Sequence, residues 1–379
     1  MGTRTTFKRW AAAFALALCI TPVAQSQDIV LGQIGPFTGL PTTDALEVNQ
    51  GIKAYIAQAN RAGGLNGRKL SFFELDDRYS GDGFAEQFEK AMERKPVALL
   101  SPIGSATMTK ALSSKLFDRP DVLVLNALPG AQSLRDPGHP RLFHIRAGDK
   151  QQIEKIVNHA HTLGMTRLGV LYQDLPIGTS GFGVAQQAAA QAGGIDLKSA
   201  KSTADHAAIS AAAGELAKQE RQGLIVIGSP KFMAEGATAL RKAGISQPIF
   251  VLSYVTANVV VKLAGLEGAR GVIVTQTYPN PQGHNLPVQR DFQAAMKAAF
   301  PEVQDYTSLH MEGYLSARTV VEAFKRSKER DISAAGLARA LPAAGDIDMG
   351  GYRVNFSEGN VGSRFVDISV IGSDGKLKY

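Results

Sequence analysis

The chain of 379 residues has one cysteine, Cys19, and one tryptophan, Trp10, both within its first twenty positions. A region without cysteine forms no disulfide, no thiol nucleophile and no thiolate metal site, so beyond residue 20 stability must come from a packed core. Long apolar runs are missing too. The longest, Trp10 to Ile20, has eleven residues, too few to cross roughly 30 Å of hydrocarbon as a helix. No basic run interleaved with aromatics occurs, which argues against nucleic acid as a partner. His159 and His161 stand two apart on a helical stretch and point to different faces, and the other five histidines show no ligand spacing. Gly178-Thr179-Ser180-Gly181 is followed by Phe182, where a nucleophile elbow needs glycine. There is no P-loop. These absences argue against an enzyme, and no cofactor or metal is expected.

What is present begins with a polar-then-apolar leader. Arg4, Lys8 and Arg9 precede the run 10–20, Thr21-Pro22 breaks it, and Ala24-Gln25-Ser26 places small residues where a signal peptidase cuts. Residues 1–27 read as a secretory signal, which implies a periplasmic location and loss of Cys19 on export. The leader holds three basic and no acidic residues, leaving 38 Lys and Arg against 34 Asp and Glu in the remainder. That excess is mild and spread along the chain. A composition of 44% hydrophobic and 20% charged residues suffices for the core of a globular chain of about two domains.

From Asp28 short apolar strands alternate with amphipathic helices. Ile29–Ile34, Leu70–Leu75, Val97–Leu100 and Val122–Leu125 read as strands, with helices over 46–60, 84–94 and about 106–117. The same grammar restarts after Arg146. Strands are expected at 168–172, 195–203, 224–227, 249–252 and 272–275, with helices at 150–163, 181–192, 206–220 and 232–243. The pattern predicts an α/β protein of two doubly wound parallel-sheet lobes. Helices 288–299, 308–326 and 334–341 and strands 352–356 and 365–371 are too few for a third lobe, so they complete the first two.

Residues 101–109, SPIGSATMT, end a buried strand and precede a helix. In such sheets ligands sit beyond the carboxyl ends of strands. A helix N-terminus offers unpaired N–H groups and about half a positive charge. Gly104, Ser105, Ala106 and Thr107 are small enough to admit an anion to those groups, and Ser105 adds a hydroxyl. The competing reading makes Ser105 or Thr107 merely an N-cap.

Several stretches, in order, resemble the leucine/isoleucine/valine-binding family of periplasmic binding proteins of ABC importers: Ile34-Gly35-Pro36-Phe37-Thr38-Gly39, the segment from Gly51 through Asn60 to Leu70, Asp76-Asp77, the 101–107 turn, Tyr172-Gln173-Asp174 with Gly178, and Gly313-Tyr314. The resemblance covers nearly the whole chain after the leader. It implies two lobes joined by three hinge crossovers, near Arg146-Ala147, Thr275 to Tyr278 and Gly351-Tyr352. The lobes would comprise 28–146 with 279–350, and 147–278 with 351–379. It further implies a monomer that captures a small carboxylate, such as an amino acid or an aliphatic or aromatic acid, and delivers it to ABC transporter permease subunits. A sensor that reports the same ligand to a receptor is the alternative.

By this resemblance Ser105, with Ala106 and Thr107, binds the ligand carboxylate, helped by Asn126, Ala127, Leu128 and Gly130. The second lobe contributes Ile177, Gly178, the Ser229-Pro230-Lys231 segment and Tyr254. Relatives often carry threonine near Gly130 and an acid at the position of Tyr254; this chain has neither. An unpaired buried ammonium costs several kcal/mol, so either Asp44 or Asp174 substitutes for that acid or the ligand lacks an ammonium. Tyr254 and Tyr278 either line the ligand body or pack as wall residues. Arg146 is expected to make a structural bond near the hinge, and Lys231 is a rival anion partner or a solvated lysine.

Overall fold

The computed structural model of the protein describes residues 1–2, 27–38 and 44–379. The expected signal segment lies outside the described residues except for its ends. The first sheet is built from β1 (Ile29–Gly35), α1 (Asp44–Arg61), β2 (Leu70–Asp76), α2 (Gly81–Met92), β3 (Ala98–Leu100), α3 (Ser105–Ser113), β4 (Val124–Leu125) and β5 (Leu142–Phe143). Its order is β2-β1-β3-β4-β5, and every pair is parallel. The strands are continuous apolar runs because both faces are covered. Phe84, Phe88 and Phe117 pack on one side, and Val48, Ile52 and Leu315 on the other.

The second sheet follows from α4 (Asp149–Thr162), β6 (Arg167–Gln173), α5 (Pro176–Ala192), β7 (Asp196–Ser202), α6 (His206–Ala217), β8 (Gly223–Ile227), α7 (Pro230–Lys242), β9 (Ile249–Val251), α8 (Ala257–Ala269) and β10 (Val272–Gln276). Periodicity did not announce α8: its Val259-Val260-Val261 run favours strand, and Gly265 breaks it at φ +71°. Then α9 (Pro287–Ala299), α10 (Ser308–Ser327), α11 (Ala334–Ala343), β11 (Ile347–Asp348) and β12 (Arg353–Val354) return to the first lobe. Finally β13 (Asp367–Ile371) and β14 (Leu377–Lys378) add antiparallel to the second sheet, whose order is β14-β13-β10-β9-β8-β6-β7. Two doubly wound α/β lobes result, as the alternation predicted.

The chain passes between the lobes three times, and the last passage differs from its expected position. Tyr278 belongs to the first lobe's core rather than the second's. Tyr352, Val354 and Phe356 also lie in that core, and His144 N–H donates to the Asn360 carbonyl while Gly362 N–H donates to the His144 carbonyl. Residues 351–362 are therefore an edge of the first lobe, and the last crossing falls between Ser363 and Asp367. The apolar alternation of 352–356 was visible in sequence, but alternation does not say which core it enters. In both sheets strand order reverses, between β1 and β3 and between β6 and β8. The carboxyl ends of these strands frame the crevice where doubly wound sheets hold ligands.

Candidate functional site

Two left-handed residues shape the first lobe's side of the crevice. Ser101 (φ 51°) ends β3 and Asn126 (φ 66°) ends β4, each in a conformation costly for a residue with a side chain. Both are completely buried and tied down. Ser101 Oγ donates to Ser316 Oγ at 3.0 Å. The Asn126 carboxamide donates to Glu312 Oε1 at 2.9 Å and faces Tyr278 Oη and Ser316 Oγ at 3.1 Å, while its oxygen accepts from Ile145 N–H. Asn126 and Tyr278, expected beside the ligand, thus spend their side chains inside the first lobe. Tyr278 is 1% exposed and its ring lies 5.3 Å from that of Tyr352.

The turn after β3 leads into α3 through Gly104, whose φ of +111° favours glycine. Gly104 is the N-cap residue, and no side chain caps the helix. Ser105 stands at the first helical position, so neither it nor Thr107 serves as the cap. Ser105 and Ala106 are exposed; Thr107 and Met108 are buried. The amide hydrogens of this turn therefore lack a side-chain acceptor, the condition an anion seat requires. Ala127, Leu128 and Gly130 form a buried turn beside it, joined to it by the Leu128 N–H bond to the Pro102 carbonyl at 3.0 Å.

On the second lobe, α5 also begins without a side-chain cap. Ile177 is half-buried in its first turn. Gly178 is buried against the Gln173 backbone, which a Cβ would overlap, so its local requirement is close packing. Tyr254, after β9, reaches the first lobe: a Cβ on Gly130 would overlap its hydroxyl. Tyr254 Oη donates to Asp149 Oδ1 at 2.5 Å, and Asp149 N–H donates to the Gly130 carbonyl at 2.9 Å. Burial pushes the Asp149 carboxyl up, and the Tyr254 hydroxyl bond opposes that. The Arg146 guanidinium carbon lies 4.9 Å from the centre of the Tyr254 ring.

Arg146 joins the lobes. It pairs with Glu312 Oε2 of α10 at 3.0 Å and donates to Ser253 Oγ at 2.6 Å, with both charged side chains almost fully buried. Burial raises the Glu312 carboxyl while Arg146 and Asn126 pull it back. Arg146 thus makes the structural bond expected of it near the hinge. Asp174 and Lys231 form surface pairs, with Lys201 at 3.3 Å and Glu235 at 3.7 Å. Asp44 opens α1, and its charge raises the Tyr79 hydroxyl after burial has done so more strongly.

Four residues at this crevice escaped the sequence reading. Asp149 reads in sequence as an ordinary acid in a first helical turn. Glu312 had a signal: it shares a helix face with Leu315, Ser316 and Thr319, so a charge there needed a buried partner. Ser253 offered none. Tyr79 follows β2 with φ 57°, remains 48% exposed, and lies against Gly104, where an added Cβ would come 3.2 Å from its ring.

A family model described as periplasmic binding protein matches residues 28–375. Among solved structures, an extracellular ligand-binding receptor from Verminephrobacter eiseniae is 58% identical over 93% of this chain and 100% of its own, with a TM-score of 0.88. A substrate-binding periplasmic protein from Ralstonia solanacearum is 26% identical over 92% of this chain and 99% of its own, at TM-score 0.78. The fold is also that of a possible leucine/isoleucine/valine-binding protein from Rhodopirellula baltica, 21% identical over 95% and 98% of the two chains, at TM-score 0.81. No curated protein matches the chain.

Proposed function

The chain belongs to the periplasmic binding protein family, and on that premise we propose that it captures a small carboxylate between its lobes and delivers it to the permease of an ABC importer. The uncapped start of α3, with Ser105 and Ala106 exposed on it, carries this reading. The carboxylate sits on the amide hydrogens of residues 104–107 and the Ser105 hydroxyl, with Tyr79 and Tyr254 as aromatic walls. The protein works outside the cytoplasm, after loss of its leader.

The charges of the crevice favour a ligand without an ammonium group. Tyr254 stands where amino-acid binders of the resembled family place an acid. Asp149 already accepts from Tyr254, and Glu312 already faces Arg146. These two carboxylates are already engaged within the protein and no further acid stands at the position of Tyr254, which favours an aliphatic or aromatic acid over leucine.

Mass spectrometry of the compound that co-purifies with the chain, followed by calorimetry, tests this. The expected compound is a monocarboxylate, and Ser105→Ala weakens its binding about tenfold, the loss of one charge-assisted hydrogen bond. Strong, exclusive binding of leucine or valine overturns the ligand class. Undiminished binding by Ser105→Ala overturns the seat.

A further inference from the structure

His310, which the crevice does not use, is 3% exposed at the start of α10. Its ring closes the cap of that helix. Thr307 is the N-cap residue: its hydroxyl accepts from His310 N–H at 3.4 Å, and Thr307 N–H donates to His310 Nδ1 at 3.1 Å. This is the exchange of a capping box, with a ring nitrogen where glutamate or glutamine usually stands. The other nitrogen, Nε2, faces Gln50 Oε1 of α1 at 3.0 Å. Thr307 Oγ1 donates to Glu47 Oε2 at 2.6 Å, so the same cap ties α10 to α1.

These partners fix the protonation of the ring. Nδ1 must be bare to accept from an N–H, and Nε2 must carry the proton to donate to a carboxamide oxygen. The neutral Nε2–H tautomer satisfies every one of these bonds. A second proton, on Nδ1, sets two donors against each other and leaves Thr307 N–H without its acceptor. It also puts a positive charge at the positive end of α10. Two carboxylates act on the ring, Glu47 of α1 and Asp305 of the segment before α10. Both favour the charged form, but burial opposes it more strongly, and the net displacement is downward.

We propose that His310 is an acid-operated catch on α10: neutral, it holds the first turn of the helix, and protonated, it lets that turn go. The effect reaches the hinge by two short links. The His310 carbonyl lies where α10 touches Gly51 of α1, and Glu312, two residues further on, pairs with Arg146 between the lobes. Acid therefore loosens the bond that joins the lobes, whatever compound the crevice holds. The catch stabilises fully above about pH 6.5, where the unfolded ring is also neutral, and is lost as pH falls below that value.

NMR titration and amide exchange of the full-length chain after signal removal, from about pH 7.5 to about pH 4.5, test the proposal. The His310 ring should be the Nε2–H tautomer at neutral pH and should titrate below about 6.5. Exchange at the amides of Thr307 and residues 310–312, corrected for its intrinsic pH dependence, should quicken at least tenfold with the same midpoint, while the core of the second lobe stays protected. His310→Gln offers Thr307 N–H an amide oxygen that does not titrate. It should abolish the quickening, and its thermal midpoint should fall several degrees less than the wild type's on acidification. An Nδ1–H tautomer, a ring midpoint at or above about 6.5, or exchange that does not follow the ring overturns the proposal, and these wild-type readings hold whether or not the variant folds. Quickening that persists unchanged in His310→Gln overturns it as well, by assigning the effect to another group.

Discussion

Asp77 illustrates what a single buried group does here. It is completely buried, accepts from Tyr79 N–H at 2.8 Å, and has its second oxygen unpartnered. Burial pushes its carboxyl up to about 6, more than the bond from Tyr79 lowers it, with Asp76 adding to the rise. A carboxyl raised on folding is penalised only when ionised. The penalty is absent below about pH 4, where the unfolded carboxyl is also protonated, and complete above about pH 6. Asp77→Asn removes the titration. Urea unfolding should show the variant gaining on the wild type by about 1–3 kcal/mol between pH 4 and 7; parallel profiles would rule the shift out. The turn after β2 holds Tyr79 beside Gly104, so it couples a buried acid to the crevice rim.

At the scale of elements, the crossing of α1 and α10 positions the first lobe's interior. Gly51 and Gly313 let the helices touch backbone to backbone: a Cβ on Gly313 would overlap the Val48 carbonyl, and one on Gly51 the His310 carbonyl. This approach brings Glu312 and Ser316 to Asn126 and Arg146. Gly313→Ala should cost about 2–3 kcal/mol by overpacking and disturb the neighbouring ion pair, measurable as a lower denaturation midpoint. An unchanged midpoint would show that the helices separate freely. Gly313-Tyr314 was legible in sequence as part of a family pattern. Its physical role was not, because a glycine inside a helix gives no sign of which helix it meets.

For the whole molecule, closure of the lobes under the proposed function would depend on the contact of Gly130 with Tyr254 and Asp149. Gly130→Ala places a methyl group on both the Tyr254 hydroxyl and the Asp149 carboxylate and should hold the lobes apart. Ligand affinity should fall at least tenfold, and small-angle scattering should report a larger radius of gyration. Tyr254→Phe, which removes the hydroxyl, should restore part of the affinity in the double variant. A double variant no better than Gly130→Ala alone would mean that the Tyr254 hydroxyl does not govern closure and would leave the overlap with Asp149 as its cause.

The division between sequence and fold follows from the range of the interactions involved. Apolar periodicity and glycine turns are local, so the alternation of strands and helices, the two lobes and the small-residue turn at 101–107 were readable from the residues alone. Partners separated by a hundred positions or more carry no local signature. Tertiary structure alone decided that Asn126 and Tyr278 turn into the first lobe, that residues 352–362 join its edge, and that Tyr254 meets Asp149 and Gly130. Each of these outcomes depends on which buried polar group finds which partner, and that choice exists only once the chain has packed.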